Sequence, residues 1–218
     1  MNSGDILLLV VLVGAVVLHE IAHGVVALAF GDTTARDAGR LSLNPIKHID
    51  PVGSVLLPAM AVFAGAPAIG WAKPVPVNPS RLRDPRRDSL YVSLAGPATN
   101  FVLMAIAAFV AHATVWDGSL WTTWDTHDSV LFRVAYAAAV VNLGLGVFNL
   151  LPIPPLDGSA LIERVLPRRW LPGWYQYQQY GLLVLFIAMF GFGILGIPSP
   201  FGWIMDPIFD RLYDYIFG

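Results

Sequence analysis

ILLLVVLVGAVVLHEIAHGVVALAF, residues 6–30, decides how this chain folds. As a helix rising about 1.5 Å per residue, it is long enough to cross the roughly 30 Å hydrocarbon core of a bilayer. Three ionisable residues interrupt it: His19, Glu20 and His23. The i, i+4 spacing puts both imidazoles on one face, one turn apart. Ionisable groups inside a span are expensive and mark function. A metal ion accounts for all three, because His-Glu-x-x-His is the pattern in which two histidines hold zinc with a carboxylate beside them.

Working outward, the composition fits the same picture. The chain has 218 residues, 56% hydrophobic and only 13% charged. Soluble domains carry about 25% charged residues, so the shortfall points to lipid as solvent. A net charge of -2 gives no footprint for nucleic acid. There is no cysteine, which excludes disulfides, thiolate ligands and thiol nucleophiles together. Any metal must be held by His, Asp, Glu or water. The N-terminus lacks a basic segment, carries Asp5 and has no small-residue cleavage site, so it reads as a retained span.

Further apolar stretches follow. Residues 51–71 are apolar but interrupted by Pro58, Gly65, Pro67 and Gly70; residues 90–115, 130–151 and 180–197 are clear spans. The polar stretch 33–50 alternates in a way suited to short strands. Trp116, Trp121 and Trp124 form a loop fit for an interfacial aromatic belt, and the tail from Pro198 reads as an amphipathic helix at the interface. The expected fold is therefore an all-α polytopic membrane protein forming one domain over 1–218. It has about four clear transmembrane helices, a re-entrant or additional span at 51–71, a small membrane-associated β element and a C-terminal interfacial helix.

Charge orients these spans. Outside the tail, basic residues fall at 36, 40 and 47, at 73, 81, 83, 86 and 87, and at 164, 168 and 169, with Arg133 the exception. The tryptophan loop has none, and holds Asp117, Asp125 and Asp128. If 51–71 enters the membrane and returns, every basic segment lies inside, as the positive-inside rule asks. The first span then descends inward with His19 and His23 in its inner half. The span 130–151 also descends, and delivers Asp157 near the same face.

A catalytic zinc takes three protein ligands and keeps a position for water. His19 and His23 supply two. Asp157 stands out as the third because of NLLPIPPLDG, residues 149–158: prolines at 152, 154 and 155 end the helix and stiffen an arm, and Gly158 lets the backbone turn. Asp32, Asp37 and Glu163 read instead as surface charges, and His48, His112 and His127 as loop or interface residues. Glu20 is placed to act as general base on water and then as proton donor to a leaving amine. Bland readings stand beside these. The histidine motif occurs by chance on solvated helices, Asp-Gly after prolines is an ordinary turn, and Asn149 is equally a helix-end residue. Gly96-Pro97 and Asn100 suit helix packing, and Arg81, Arg83, Arg86 and Arg87 suit anionic headgroups.

HEIAHG at 19–24 and NLLPIPPLDG at 149–158 resemble the site-2 protease family of intramembrane zinc metalloproteases, in its compact form without PDZ or CBS domains. Asn44-Pro45, GWAKPVPVNP at 70–79 and GPATN at 96–100 are also similar. The resemblance runs from residue 5 to about 197. It implies zinc held by His19, His23 and Asp157, Glu20 as catalytic acid/base, and Asn149 steadying the substrate or oxyanion. It also implies transmembrane-helix substrates in the bilayer, engaged as an added strand on a β-rich element matching 33–77. A bacterial or archaeal plasma membrane is the expected home, and a homodimer is compatible with the sequence. The other function class left open is a membrane protein that binds or transports a metal without proteolysis, with a structural zinc in a scaffold as a third.

Overall fold

The computed structural model describes residues 3–56, 72–115, 129–188 and 200–217. Among these the chain is helical and contains no strand. In order, the helices are α1 (Ser3–Ala29), α2 (Thr34–Asp37), α3 (Pro85–Val115), α4 (Val130–Asn149), α5 (Ser159–Val165), α6 (Leu171–Gln178), α7 (Gly181–Phe186) and α8 (Pro200–Phe217). By length and composition, α1, α3 and α4 can each cross a membrane. The tryptophan loop lies outside the described residues, as do most of the 51–71 stretch and the second half of the 180–197 span.

Local chemistry explains where the long helices start. Helix α3 begins at Pro85, ahead of the apolar run, because Asp84 caps it: the Arg87 amide donates to Asp84 Oδ1 (3.1 Å), and the Asp84 amide donates back to Asp88 Oδ2 (2.8 Å). Proline at the first helical position loses no hydrogen bond. Helix α4 starts at Ser129, whose hydroxyl oxygen accepts from the Phe132 amide.

The described chain forms two compact units, residues 1–15 with 97–218, and residues 16–96. Both boundaries fall inside helices, in α1 and in α3. The core of the larger unit joins Ala108 and Ala111 of α3, Phe132, Ala135, Ala139 and Leu143 of α4, and Leu212 and Ile216 of α8. Small residues let helix backbones approach closely, the main source of helix association where lipid removes the hydrophobic drive. Gly146 continues the pattern: a Cβ there would lie 3.1 Å from the Phe101 ring. Within this packing the Asn100 amide donates to Asn142 Oδ1 (2.8 Å), and Asn142 donates to the Ala138 carbonyl (2.9 Å). Helix α8 is amphipathic as its sequence predicts. Met205, Leu212 and Ile216 are buried and Trp203 and Tyr213 exposed, and its apolar side packs on α4. Val102, Ile106 and Phe109, at i, i+4 and i+7 of α3, are 58–64% exposed, an apolar stripe suited to lipid.

The smaller unit corrects one expectation. Residues 33–50 fold as helical turns, not strands: α2, then a 3₁₀ turn at Pro45–His48 whose first amide is capped by Asn44. Capping side chains and proline outweigh the alternating pattern. Asp32, expected on the surface, is fully buried. It accepts from the Thr34 amide (3.0 Å) and hydroxyl and from the Asn78 amide (2.6 Å), joining the end of α1 to residues 72–78. Burial alone would raise its pKa. The bonds from Thr34 and Asn78 and the charge of Arg81 outweigh it and leave the carboxyl below its ordinary value.

Two outcomes follow. Asn142→Leu should lower stability in detergent unfolding by about 0.6–1.7 kcal/mol, the range for interhelical polar bonds in membranes. Asp32 should stabilise the fold above the ordinary carboxylate pKa of about 3.9 and lose that effect as pH falls through its lower folded value. Unfolding curves of wild type and Asp32→Asn against pH should therefore be separated at neutral pH and converge in acid.

Candidate metal centre

The smaller unit brings His19, Glu20 and His23 together on the C-terminal half of α1. Both histidines are buried, at 6% and 8% exposure. Their Nε2 atoms converge to 3.0 Å, with the rings edge to face. His23 Nδ1 donates to the Val92 carbonyl at 2.6 Å. A carbonyl only accepts, so Nδ1 carries the proton of this bond, and Nε2 is the ring nitrogen turned toward His19, an orientation that suits a histidine to a metal. Two zinc–nitrogen bonds of about 2.0–2.1 Å at a tetrahedral angle hold their nitrogens roughly 3.3 Å apart. The observed pair lies within a few tenths of an ångström of that, so the donors fit the ion.

Gly96 makes room for this pair. A Cβ there would stand 2.5 Å from His19 Nε2, His19 Cε1 and His23 Nε2. Only glycine leaves the space beside these imidazole nitrogens open. Glu20, half-buried, turns off the histidine line, and its Oε2 accepts from the Val75 amide at 2.7 Å.

Asp157 and Asn149 belong to the larger unit. Residues 150–158 leave α4 as a pinned arm. The Gly158 amide donates to the Asn149 carbonyl (2.6 Å) and the Leu156 amide to the Ile153 carbonyl (2.9 Å), and the Pro154–Pro155 peptide is cis. A Cβ on Gly158 would run into the Leu150 carbonyl, and one on Gly181, at the start of α7, into that of Pro154. The arm is therefore closed at its base and packed at its tip. Asp157 is half-buried at its end, just before α5. Asn149 donates to the Leu145 carbonyl of its own helix (3.0 Å), which leaves its second N–H and its carboxamide oxygen for other work.

Three contributors escaped the sequence reading. Val75 and Val92 act through backbone atoms, which no side-chain pattern reveals, although the KPVPVNP run hinted at an ordered extended segment. Gly96 was read as helix packing, whereas its neighbours are the imidazoles of His19 and His23. Of the other histidines, buried His48 meets the Ser42 carbonyl through Nε2 at 2.9 Å, and His112, within α3, meets the Ile216 carbonyl at 3.3 Å. His127 lies outside the described residues. Asp37 is exposed, and Glu163 accepts from the Tyr175 hydroxyl at 2.8 Å.

Comparison with known proteins establishes the family. Residues 120–192, which include Asn149 and Asp157, match the family described as peptidase family M50. Over 196 residues the chain is 38% identical to YwhC of Bacillus subtilis, provisionally named a zinc metalloprotease; the match covers 86% of this chain and 83% of that protein. It is 32% identical over 195 residues to Rip2 of Mycobacterium tuberculosis H37Rv, covering 88% of this chain and 67% of the other. It is also 30% identical over 172 residues to Rip2 of Mycolicibacterium smegmatis, covering 79% and 62%. Both are provisionally named in the same way. No solved structure matches the chain. These relatives favour hydrolysis over metal carriage, and zinc is the cofactor they share by name. The three apolar helices make the chain an integral membrane protein, and it belongs to peptidase family M50, the site-2 protease family of intramembrane zinc metalloproteases.

Proposed function

We propose that the chain, acting as one domain, is an endopeptidase that cuts transmembrane segments of other membrane proteins, with His19, His23 and Asp157 holding zinc and Glu20 as its general base. The observation that carries this reading is the buried histidine pair of α1, with its Nε2 atoms converging, His23 oriented through Nδ1, and Glu20 next to it in sequence. Each of the three proposed ligands offers one ligand atom, two imidazole nitrogens and a carboxylate oxygen. That is a three-ligand set of the kind that leaves a catalytic zinc one open position. When bound, zinc polarises the scissile carbonyl and makes water nucleophilic near neutral pH.

Glu20 takes a proton from the attacking water and returns it to the departing amine as the C–N bond breaks. Asn149, with one N–H free of its helix bond, contacts the substrate carbonyl or steadies the arm that carries Asp157. A substrate helix must unwind before cleavage, because its peptide bonds are shielded by their own hydrogen bonds. Pairing with an extended segment of the stretch 33–77, the expected β element, would hold the unwound stretch in reach. The inner-face orientation follows the distribution of Lys and Arg. A further span at 180–197 and a bacterial or archaeal plasma membrane complete the reading.

Glu20→Gln should retain zinc and lose about a hundredfold to ten-thousandfold in cleavage of transmembrane-helix reporters in lipid, the usual span for general acid–base catalysis. Metal analysis beside product assays reads both. Loss of zinc in this variant, with no cleavage by wild type, would favour metal carriage. Gly96→Ala should weaken zinc binding about tenfold to a hundredfold in competition with a metal buffer. Gly14→Ala on α1, the helix of the histidine pair, where a Cβ meets nothing within 4 Å, should leave it unchanged.

A further inference from the structure

Residues 72–78, AKPVPVN, run past Glu20 as an extended strap. Lys73, Val75 and Asn78 each precede a proline, which excludes helical backbone at those positions, and Pro74 and Pro76 have their own φ locked. The same three residues donate the strap's anchoring amide bonds. Lys73 N–H reaches the His48 carbonyl (2.9 Å), Val75 N–H reaches Glu20 Oε2 (2.7 Å) and Asn78 N–H reaches Asp32 Oδ2 (2.6 Å). Arg40 Nη2 adds a bond to the Lys73 carbonyl at 2.7 Å. The Val75 side chain is buried beneath the strap, where it limits the space at Gly24: a Cβ on that glycine would lie 3.0 Å from Val75 Cγ1.

This is more order than a connecting loop requires, and it converges on one carboxylate. Two of the amide bonds and the arginine fix the strap at its ends, on groups away from the histidine pair. The middle bond is charge-assisted and directed at an oxygen of Glu20. A free glutamate side chain rotates about three bonds, so a base that must meet a proton at a set position gains from having one oxygen pinned. The prolines serve the same end, since neither Pro74 nor Pro76 carries an N–H that could compete for the carboxylate.

We propose that the strap is a positioning device for the base: the Val75 amide holds Glu20 Oε2 so that Oε1 faces the reacting water. Val75 is thus a positioning residue acting through its backbone, and the inference rests on Glu20 being the base. Pinning changes how often the carboxylate is correctly aimed, not whether substrate binds. Its removal should therefore appear in kcat and leave KM alone.

The test uses the whole protein in lipid and has two arms. Hydrogen exchange at the Val75 amide should be slow in wild type and about tenfold or more faster in Glu20→Ala, while exchange at Lys73 is unchanged. Equal exchange at Val75 in both would overturn the contact, whatever the enzyme's activity. In the kinetic arm, Val75→Pro removes the N–H and keeps the extended backbone, and Val75→Ala keeps the N–H and trims the side chain. Replacing Val75 by its α-hydroxy acid, which exchanges N–H for an ester oxygen with the side chain intact, guards against a misfolded proline variant. The proline and ester forms should lose about tenfold to a hundredfold in kcat at unchanged zinc content and melting temperature, with KM within about twofold, and the alanine form should stay near wild type. A kcat equal in proline, ester and alanine forms would overturn the proposal while leaving Glu20 as base. A zinc-loaded wild type that cleaves no reporter would instead overturn the protease reading, and the role of Val75 with it.

Discussion

Two imidazoles and a carboxylate in the middle of an apolar helix are tolerable only if their polar atoms have partners, and the smaller unit is organised around that requirement. His23 gives its Nδ1 proton to the Val92 carbonyl of α3. That bond needs α3 to run close to α1, and Gly96, one turn beyond Val92, permits the approach by placing no side chain against the histidine nitrogens. Ala27 of α1 and Leu82 and Val92 from the α3 side pack together along the same pair of segments. The apolar contacts bring the helices together; the carbonyl bond sets the tautomer. Removing solvation from His23 is thus balanced by a bond that also fixes its ring orientation.

The carboxylates are handled differently, by backbone amides from a segment distant in sequence. Asp32 and Glu20 both accept from residues 72–78, and the alternation of prolines decides which amides in that run are available. Main-chain N–H groups directed at a carboxylate replace the water it loses on folding; at Asp32 the Thr34 and Asn78 bonds do this with the charge of Arg81 beside them. The price is rigidity in residues 72–78.

Much of this was legible in the residues. Hydropathy located α1, α3 and α4, because spans must be apolar whatever they pack against. His-Glu-x-x-His identified the donor pair, because the helical repeat alone aligns i and i+4. The NLLPIPPLDG arm announced a stiff turn through its prolines. Other features were not legible. Asp32 looked like a surface charge, because what buries it is the return of Asn78 from far along the chain. Residues 33–50 looked strand-like, because alternation says nothing of caps, and Asn44 and Asp32 supply caps. Gly96 looked like a packing glycine, because its neighbours are side chains of another helix.

The sequence by itself determined that this chain lives in lipid, that one of its spans carries two histidines one turn apart with a carboxylate beside them, and that a proline-stiffened aspartate follows a later span. These follow from composition, from helical periodicity and from the fixed φ of proline, all local properties. Only the tertiary structure decided which nitrogen of His23 is protonated, why position 96 must lack a side chain, and that Glu20 is held by the Val75 amide. Those facts rest on backbone carbonyls and amides, which every residue carries and no sequence pattern distinguishes, so their partners emerge only once the chain has folded.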